Sequence, residues 1–146
     1  MSIFESWRMR NKVLIDTNVL VYSADRRSSH YVEAIELLTN DDYDFYVSTK
    51  SVSEFYSVMT RSTTPKLSVE DAQAAMGDIL RIYNILYPSE RSINALNTLI
   101  SKYQPKGLRI FDFEIISVAL ANDITHIATF NYKDFDRIEE VHTVTR

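Results

Sequence analysis

The chain contains no cysteine and only two glycines, Gly77 and Gly107. Without cysteine there are no disulfides and no thiolate metal sites. With two isolated glycines, neither GxGxxG nor GxxxxGK[ST] can be written, so a glycine-rich loop cradling nucleotide phosphates is excluded. The longest apolar runs are far too short to span a bilayer. The N-terminus lacks the continuous apolar core of a secretory signal, so a cytoplasmic protein with no membrane partner is expected. The three histidines, His30, His126 and His142, are scattered without HxxxH-type spacing and read as surface or structural residues rather than zinc ligands. Positive charge is also short. Sixteen Lys and Arg against 20 Asp and Glu leave a formal net charge of −4. That balance argues against holding nucleic acid by bulk positive charge, though not against a nuclease whose acidic pocket is neutralised by metal ions. Three small basic groups stand out: Arg8, Arg10 and Lys12; Arg26 and Arg27; Lys102, Lys106 and Arg109. Each is within the ordinary range of mixed surface charge.

What is present fits one soluble domain over residues 1–146, long enough to bury a core. Residues 1–11 read as a short lead-in with helical spacing, Phe4 and Trp7 standing three apart. Strands are expected at about 13–15, 45–47, 84–87 and 126–129, with a last edge strand at 141–144. Helices are expected over about 18–24, 30–39, 51–61, 68–82, 90–102 and from near 112 to 122. The helix over 30–39 puts Val32, Ile35 and Leu38 near one face; that over 90–102 turns Ile93, Leu96, Leu99 and Ile100 inward. Residues 104–109 and 130–135 read as loops. Strands alternating with helices predict a three-layer α/β/α sandwich around a mostly parallel sheet.

The stretch Lys12-Val-Leu-Ile-Asp-Thr-Asn18 organises this pattern. A buried strand meets a helix start at Asp16, and in open α/β sheets ligands bind at that carboxyl edge. Asp is also a favoured helix cap, the simpler explanation. Glu54 has a similar ambiguity, because Ser51-Val-Ser-Glu54 matches a capping box. Asp112 reads as another N-cap, yet Asp112, Ile115, Ile116 and Ala119 share one helical stripe, which leans its carboxylate toward the buried side. The fourth point is the segment after the 126–129 strand, where Thr129, Asn131 and Asp134 supply oxygens and Phe135 pins the segment to the core. Three acids and one polar loop all fall at the same expected sheet edge. Grouped carboxylates raise one another's pKa unless a cation sits among them. An oxygen-only ligand set points to Mg²⁺ or Mn²⁺, and so to phosphoryl chemistry that needs no nucleophilic Ser or Cys and no base His.

These residues resemble the PIN-domain family, most of all the toxin subunit of VapBC-type toxin–antitoxin pairs. The resemblance rests on Val13-Leu-Ile-Asp-Thr-Asn18, Ser51-Val-Ser-Glu54, Asp112 opening Phe-Glu-Ile-Ile-Ser-Val-Ala-Leu-Ala121, and Ile127-Ala-Thr-Phe-Asn-Tyr-Lys-Asp-Phe135. It implies a Mg²⁺- or Mn²⁺-dependent endoribonuclease, a small antitoxin partner and a homodimer. It implies that Asp16, Glu54 and Asp112 are the acidic metal positions. Asn131 matches the fourth position, and Thr17, Asn18 and Thr129 support the pocket. Two departures accompany it: Gly107-Leu-Arg-Ile-Phe111 is atypical, and a neutral Asn131 weakens a second metal site, where Asp134 contributes instead. The alternatives are an inactive PIN-like protein- or RNA-binding module, an RNA-processing nuclease outside any toxin–antitoxin pair, and a Mg²⁺-dependent phosphatase. The phosphatase is disfavoured because no second Asp follows Asp16 two residues on.

Overall fold

In the computed structural model, residues 10–144 are described. Most of the lead-in, with Phe4, Trp7 and Arg8, lies outside the described residues. Five strands, β1 (Asn11–Ile15), β2 (Tyr43–Ser48), β3 (Asn84–Leu86), β4 (His126–Ala128) and β5 (His142–Thr143), form one sheet in the order β3-β2-β1-β4-β5. Every pairing is parallel. The helices are α1 (Thr17–Ala24), α2 (Tyr31–Leu38), α3 (Thr49–Thr60), α4 (Val69–Ile82), α5 (Glu90–Tyr103), α6 (Ile110–Ala121) and the short α7 (Tyr132–Phe135). A 3₁₀ turn over Gly107–Arg109 leads into α6. No helix among the described residues is long and apolar enough to cross a membrane.

Strand alternation splits the core into two layers. Val13, Ile15, Phe45, Val47 and Ala128 pack with Val19 and Leu20 of α1, Ala34 of α2, Phe55 and Met59 of α3, and Ile79 of α4. Leu14, Leu86 and Ile127 point the other way, onto Leu99 of α5, Ile116 of α6 and Phe135 of α7. Both faces of the sheet are therefore covered, which is why its strands read as continuous apolar runs. The expected α/β/α sandwich is the observed fold.

Four local expectations change. In α2 the buried stripe is Ala34 with Leu37 and Leu38, and Val32 is exposed. Two residues back from Ala34 is about 200° around a helix, the opposite side. In α5 the stripe is Ser92, Leu96, Leu99 and Tyr103, leaving Ile93 exposed and Ile100 partly so. Ser92 is buried because its hydroxyl completes a reciprocal cap with Ser89, an inward position that a polarity pattern does not reveal. The 130–135 loop contains a helical turn, α7, and residues 107–109 contain the 3₁₀ turn.

Candidate active site

The sheet is built outward from β1 in both directions, through β2 to β3 and through β4 to β5. The switch point lies between β1 and β4, where open α/β sheets leave a crevice for ligands. Asp16 is the one residue between β1 and α1, and Thr129 is the residue after β4. The Asp16 N–H donates to the Ala128 carbonyl at 2.9 Å, so its backbone prolongs the ladder to the crevice. Its two carboxylate oxygens divide the work. Oδ1 accepts from the Thr17 N–H at 2.8 Å, the helix-cap contact. Oδ2 accepts from the Thr129 hydroxyl at 2.8 Å, across the switch point. The cap is real, but it uses one oxygen.

Asn18 and Asn131 brace the same crossing. The Phe130 N–H donates to Asn18 Oδ1 at 3.3 Å, and the Asn131 N–H donates to Thr129 Oγ1 at 2.9 Å. Thr129 is fully buried, and Asp16 is only 9% exposed.

Glu54 does not serve a capping box. Helix α3 starts at Thr49, and its cap is Ser48, whose hydroxyl oxygen accepts from the Ser51 N–H. Ser51 therefore sits inside the first turn, fully buried. Glu54, one turn on, receives the Thr17 hydroxyl at 3.0 Å, and Ser51 Oγ lies 3.0 Å from the same Thr17 oxygen. Lys50 Nζ stands 3.9 Å from Glu54 and 4.0 Å above the Phe111 ring, bridging the starts of α3 and α6. The displaced cap arises because β2 runs to Ser48, one residue beyond the expected strand.

Asp112 is not an N-cap either. Helix α6 begins two residues earlier, at Ile110, so the Asp112 carboxylate lies in the first turn, where the helix dipole favours negative charge. The expected stripe holds in part: Ile115, Ile116 and Ala119 are buried, but so are Phe113, Ser117 and Val118. The helix is wrapped on nearly every side.

The acids sense one another. Burial pushes the Asp16 carboxyl up to about 6, and the charges of Asp112 and Glu54 push the same way against the stabilising bonds from Thr129 and Thr17. Asp112 is also raised, first by burial, then by Asp134 and Glu54, with Arg109 opposing. Asp134 is held by Arg109 at 2.6 Å and by the Asn131 amide. The structure thus joins Asp16, Glu54 and Asp112 electrostatically, with Thr17, Asn18 and Thr129 bonded around them. Asn131 and Asp134 form a more exposed outer pair. Among the described residues no three acidic or histidine side chains stand close enough to hold a metal ion as they are. Mg²⁺ commonly takes one or two carboxylates and keeps water for its remaining positions, so a hard-oxygen set of this kind fits it.

Sequence reasoning missed Ser51, Lys50 and the Arg109–Asp134 pair. Ser51 carried a signal in its Ser48-x-x-Ser51 spacing; the other two depend on packing between distant segments. The histidines hold one surprise: His126 and His142 sit opposite each other on β4 and β5, rings 5.6 Å apart, at the sheet edge away from Asp16.

Thr17→Val tests the internal support of Glu54. Where Glu54 serves a bound metal ion, removing that hydroxyl is expected to lower activity by about 10- to 100-fold, the usual cost of losing a group that orients a ligand. Stability should fall by only about 1 kcal/mol. Thr17→Ser should retain most activity, and steady-state kinetics with urea unfolding distinguishes the two effects.

A parallel sheet with carboxylates at its switch point defines an α/β ligand site. The PIN domain family model matches residues 13–141. The chain belongs to the PIN-domain family, a family of nucleases. Comparison with curated proteins gives no match. Similar solved structures include VapBC2 from Rickettsia felis, bound to a DNA fragment from its promoter, at 21% identity and TM-score 0.70, covering 90% of this chain and 96% of that one. VapBC-1 from nontypeable Haemophilus influenzae is 24% identical at TM-score 0.64, with the same coverage. VapC20 of Mycobacterium tuberculosis, a sarcin–ricin loop cleaving toxin, is 13% identical at TM-score 0.69, covering 86% of this chain and 95% of that one.

Proposed function

We propose that this chain, acting as one nuclease domain, is a Mg²⁺- or Mn²⁺-dependent endoribonuclease and the toxin of a toxin–antitoxin pair. The observation that carries this reading is Asp16 at the switch point, bonded to Thr129 and within electrostatic reach of Glu54 and Asp112. Two simpler explanations, a Glu54 capping box and an Asp112 N-cap, have no place in the observed helix starts. Burial raises the Asp16 and Asp112 carboxyls and the charge of Glu54 raises both further, a cost to the fold that a bound cation would relieve.

In this reading Asp16 and Asp112 hold the cation, with Glu54 completing the acidic set. The ion supplies charge neutralisation and Lewis-acid activation for phosphodiester hydrolysis when bound. Thr129 and the Thr17 N–H fix both oxygens of Asp16, so that carboxylate is preorganised. Thr17 orients Glu54. Asn131 and Asp134 line the approach, with Arg109 holding Asp134 in place. The toxin–antitoxin assignment is supported by the VapBC neighbours, and RNA as substrate by the cleavage activity described for VapC20. A small antitoxin and a homodimeric state belong to the same reading.

The test is cleavage of a mixed RNA pool by purified protein with Mg²⁺, Mn²⁺ or EDTA. Metal-dependent cutting lost in both Asp16→Asn and Asp112→Asn is the expected result. Cutting that survives both substitutions sinks the assignment of these carboxylates. A companion expectation is a thermal shift: millimolar Mn²⁺ should raise Tm at pH 7.5, since a ligand bound only by the folded state stabilises it. An unchanged Tm would speak against a metal site here.

A further inference from the structure

A cavity of about 420 Å³ opens beside the acidic crevice, between the loop after α5, the 3₁₀ turn and α7. Lys106, Arg109, Lys133 and Arg137 line it, with Asp134 as its one carboxylate and Phe113 in its apolar lining. Four cations against one anion is a local charge of +3, in a protein whose net charge is −4. Arg109 is paired with Asp134. Lys106, Lys133 and Arg137 are exposed and make no ion pair among the described residues. The nearby carboxylates of Glu139 and Glu140 are engaged elsewhere, by Lys102 at 2.9 and 3.3 Å. The basic side chains are thus gathered from two separate segments, and three of them make no ion pair among the described residues.

The groove is joined to the acidic site. Asp134 lines it, bonds Asn131 and pairs with Arg109, and Phe113, which adjoins Asp112 on α6, lines it too. A strand with one phosphodiester at Asp16 and Asp112 must send its neighbouring phosphates somewhere. The acidic crevice repels them, and the groove attracts them. We infer that Lys106, Arg109, Lys133 and Arg137 form a phosphate-backbone track that seats single-stranded RNA flanking the cut site. This inference rests on the ribonuclease reading for its substrate. Because the cations address phosphate rather than base edges, the track sets affinity and register without selecting sequence.

The probe is a fluorescein-labelled single-stranded RNA 12-mer, followed by anisotropy in EDTA over a salt series. Lys133→Glu/Arg137→Glu is expected to weaken binding at least tenfold near 0.1 M salt. Losing two phosphate contacts should flatten the slope of log K against log[salt] by about 1.4, at roughly 0.7 per contact on single strands. Lys133→Gln/Arg137→Gln should fall between. Both positions are exposed and make no ion pair among the described residues, so the thermal melt should not move. Arg10→Glu/Lys12→Glu, at the amino end of the central strand β1 and outside the groove lining, makes the same change in net charge and should leave affinity within about twofold, since exposed charges beyond a Debye length are screened. Unchanged affinity and slope in the groove variant overturn the track, as does an equal loss in the Arg10/Lys12 variant or a wild-type chain that binds no RNA. Cleavage of the same RNA in Mn²⁺ separates the two readings. Groove-dependent binding without cutting sinks the ribonuclease and keeps the track; cutting with binding indifferent to the groove does the reverse.

Discussion

Asp16→Asn is expected to lose cleavage by at least about 10²-fold and, in the same tube, to make the metal-free protein more stable. The first half follows from the proposed metal role, since a cation held by this carboxylate would contribute several kcal/mol to a phosphoryl transition state, at 1.36 kcal/mol per tenfold in rate. The second half follows from ionisation. An unfolded Asp ionises near its ordinary value of 3.8, but Asp16 in the fold does so only at about 6, chiefly because it is buried. The folded state therefore binds more protons between those values, and stability falls as pH rises through that window. Above about pH 7 the full penalty applies, nominally about 3 kcal/mol at 1.36 kcal/mol per pKa unit. Asn removes the penalty and weakens the bond from Thr129, worth about 1 kcal/mol, so a net gain of about 1–2 kcal/mol is expected at pH 7.5. At pH 4 the gain should vanish. Urea midpoints at both pH values check this. A variant less stable than wild type at pH 7.5 would show that the carboxylate earns structural stability on its own. Mn²⁺ should reverse the order, stabilising the wild type alone.

Phe135→Ala is expected to cost about 3–4 kcal/mol, the range for emptying a fully buried aromatic site. Phe135 is 0% exposed and packs with the layer formed by Leu14, Ile116 and Ile127. It closes α7, so it also anchors the segment that carries Thr129, Asn131 and Asp134. A Tm decrease of about 10 °C is the corresponding scale for a chain of this size. The fraction that stays folded should cut more slowly, because Thr129 then holds Asp16 less firmly. Phe135→Leu, which keeps most of the volume, should cost far less and cut nearly normally. A Phe135→Ala chain with wild-type stability would mean that the segment is not pinned by this ring.

The parts of this fold that were legible in the sequence are those with local chemical signatures. The run Val13-Leu-Ile meeting a helix start at Asp16, and the alternation of strands with helices that predicts a parallel sheet, stand as read. Helix starts near the site were less legible because several polar residues competed for the cap. Ser48 displaced Ser51, and the 3₁₀ turn carried α6 two residues upstream of Asp112. Those displacements bear on function, since they free Glu54 and Asp112 from capping. Pairing across long stretches was not legible at all. Nothing local says that Arg109 meets Asp134, or that Lys102 turns to Glu139 while Lys106 makes no ion pair among the described residues.

The most direct measurement is Mn²⁺ binding by titration calorimetry at pH 6 and pH 7.5, in buffers of different ionisation heat. The expected result is binding by the wild-type chain that weakens at least tenfold, on the scale of losing a ligand, in both Asp16→Asn and Asp112→Asn. Proton release should accompany binding at pH 6, where Asp16 is half protonated, and fade at 7.5. Affinity indifferent to both substitutions, or no binding by the wild type, would contradict the account of these carboxylates as one metal site.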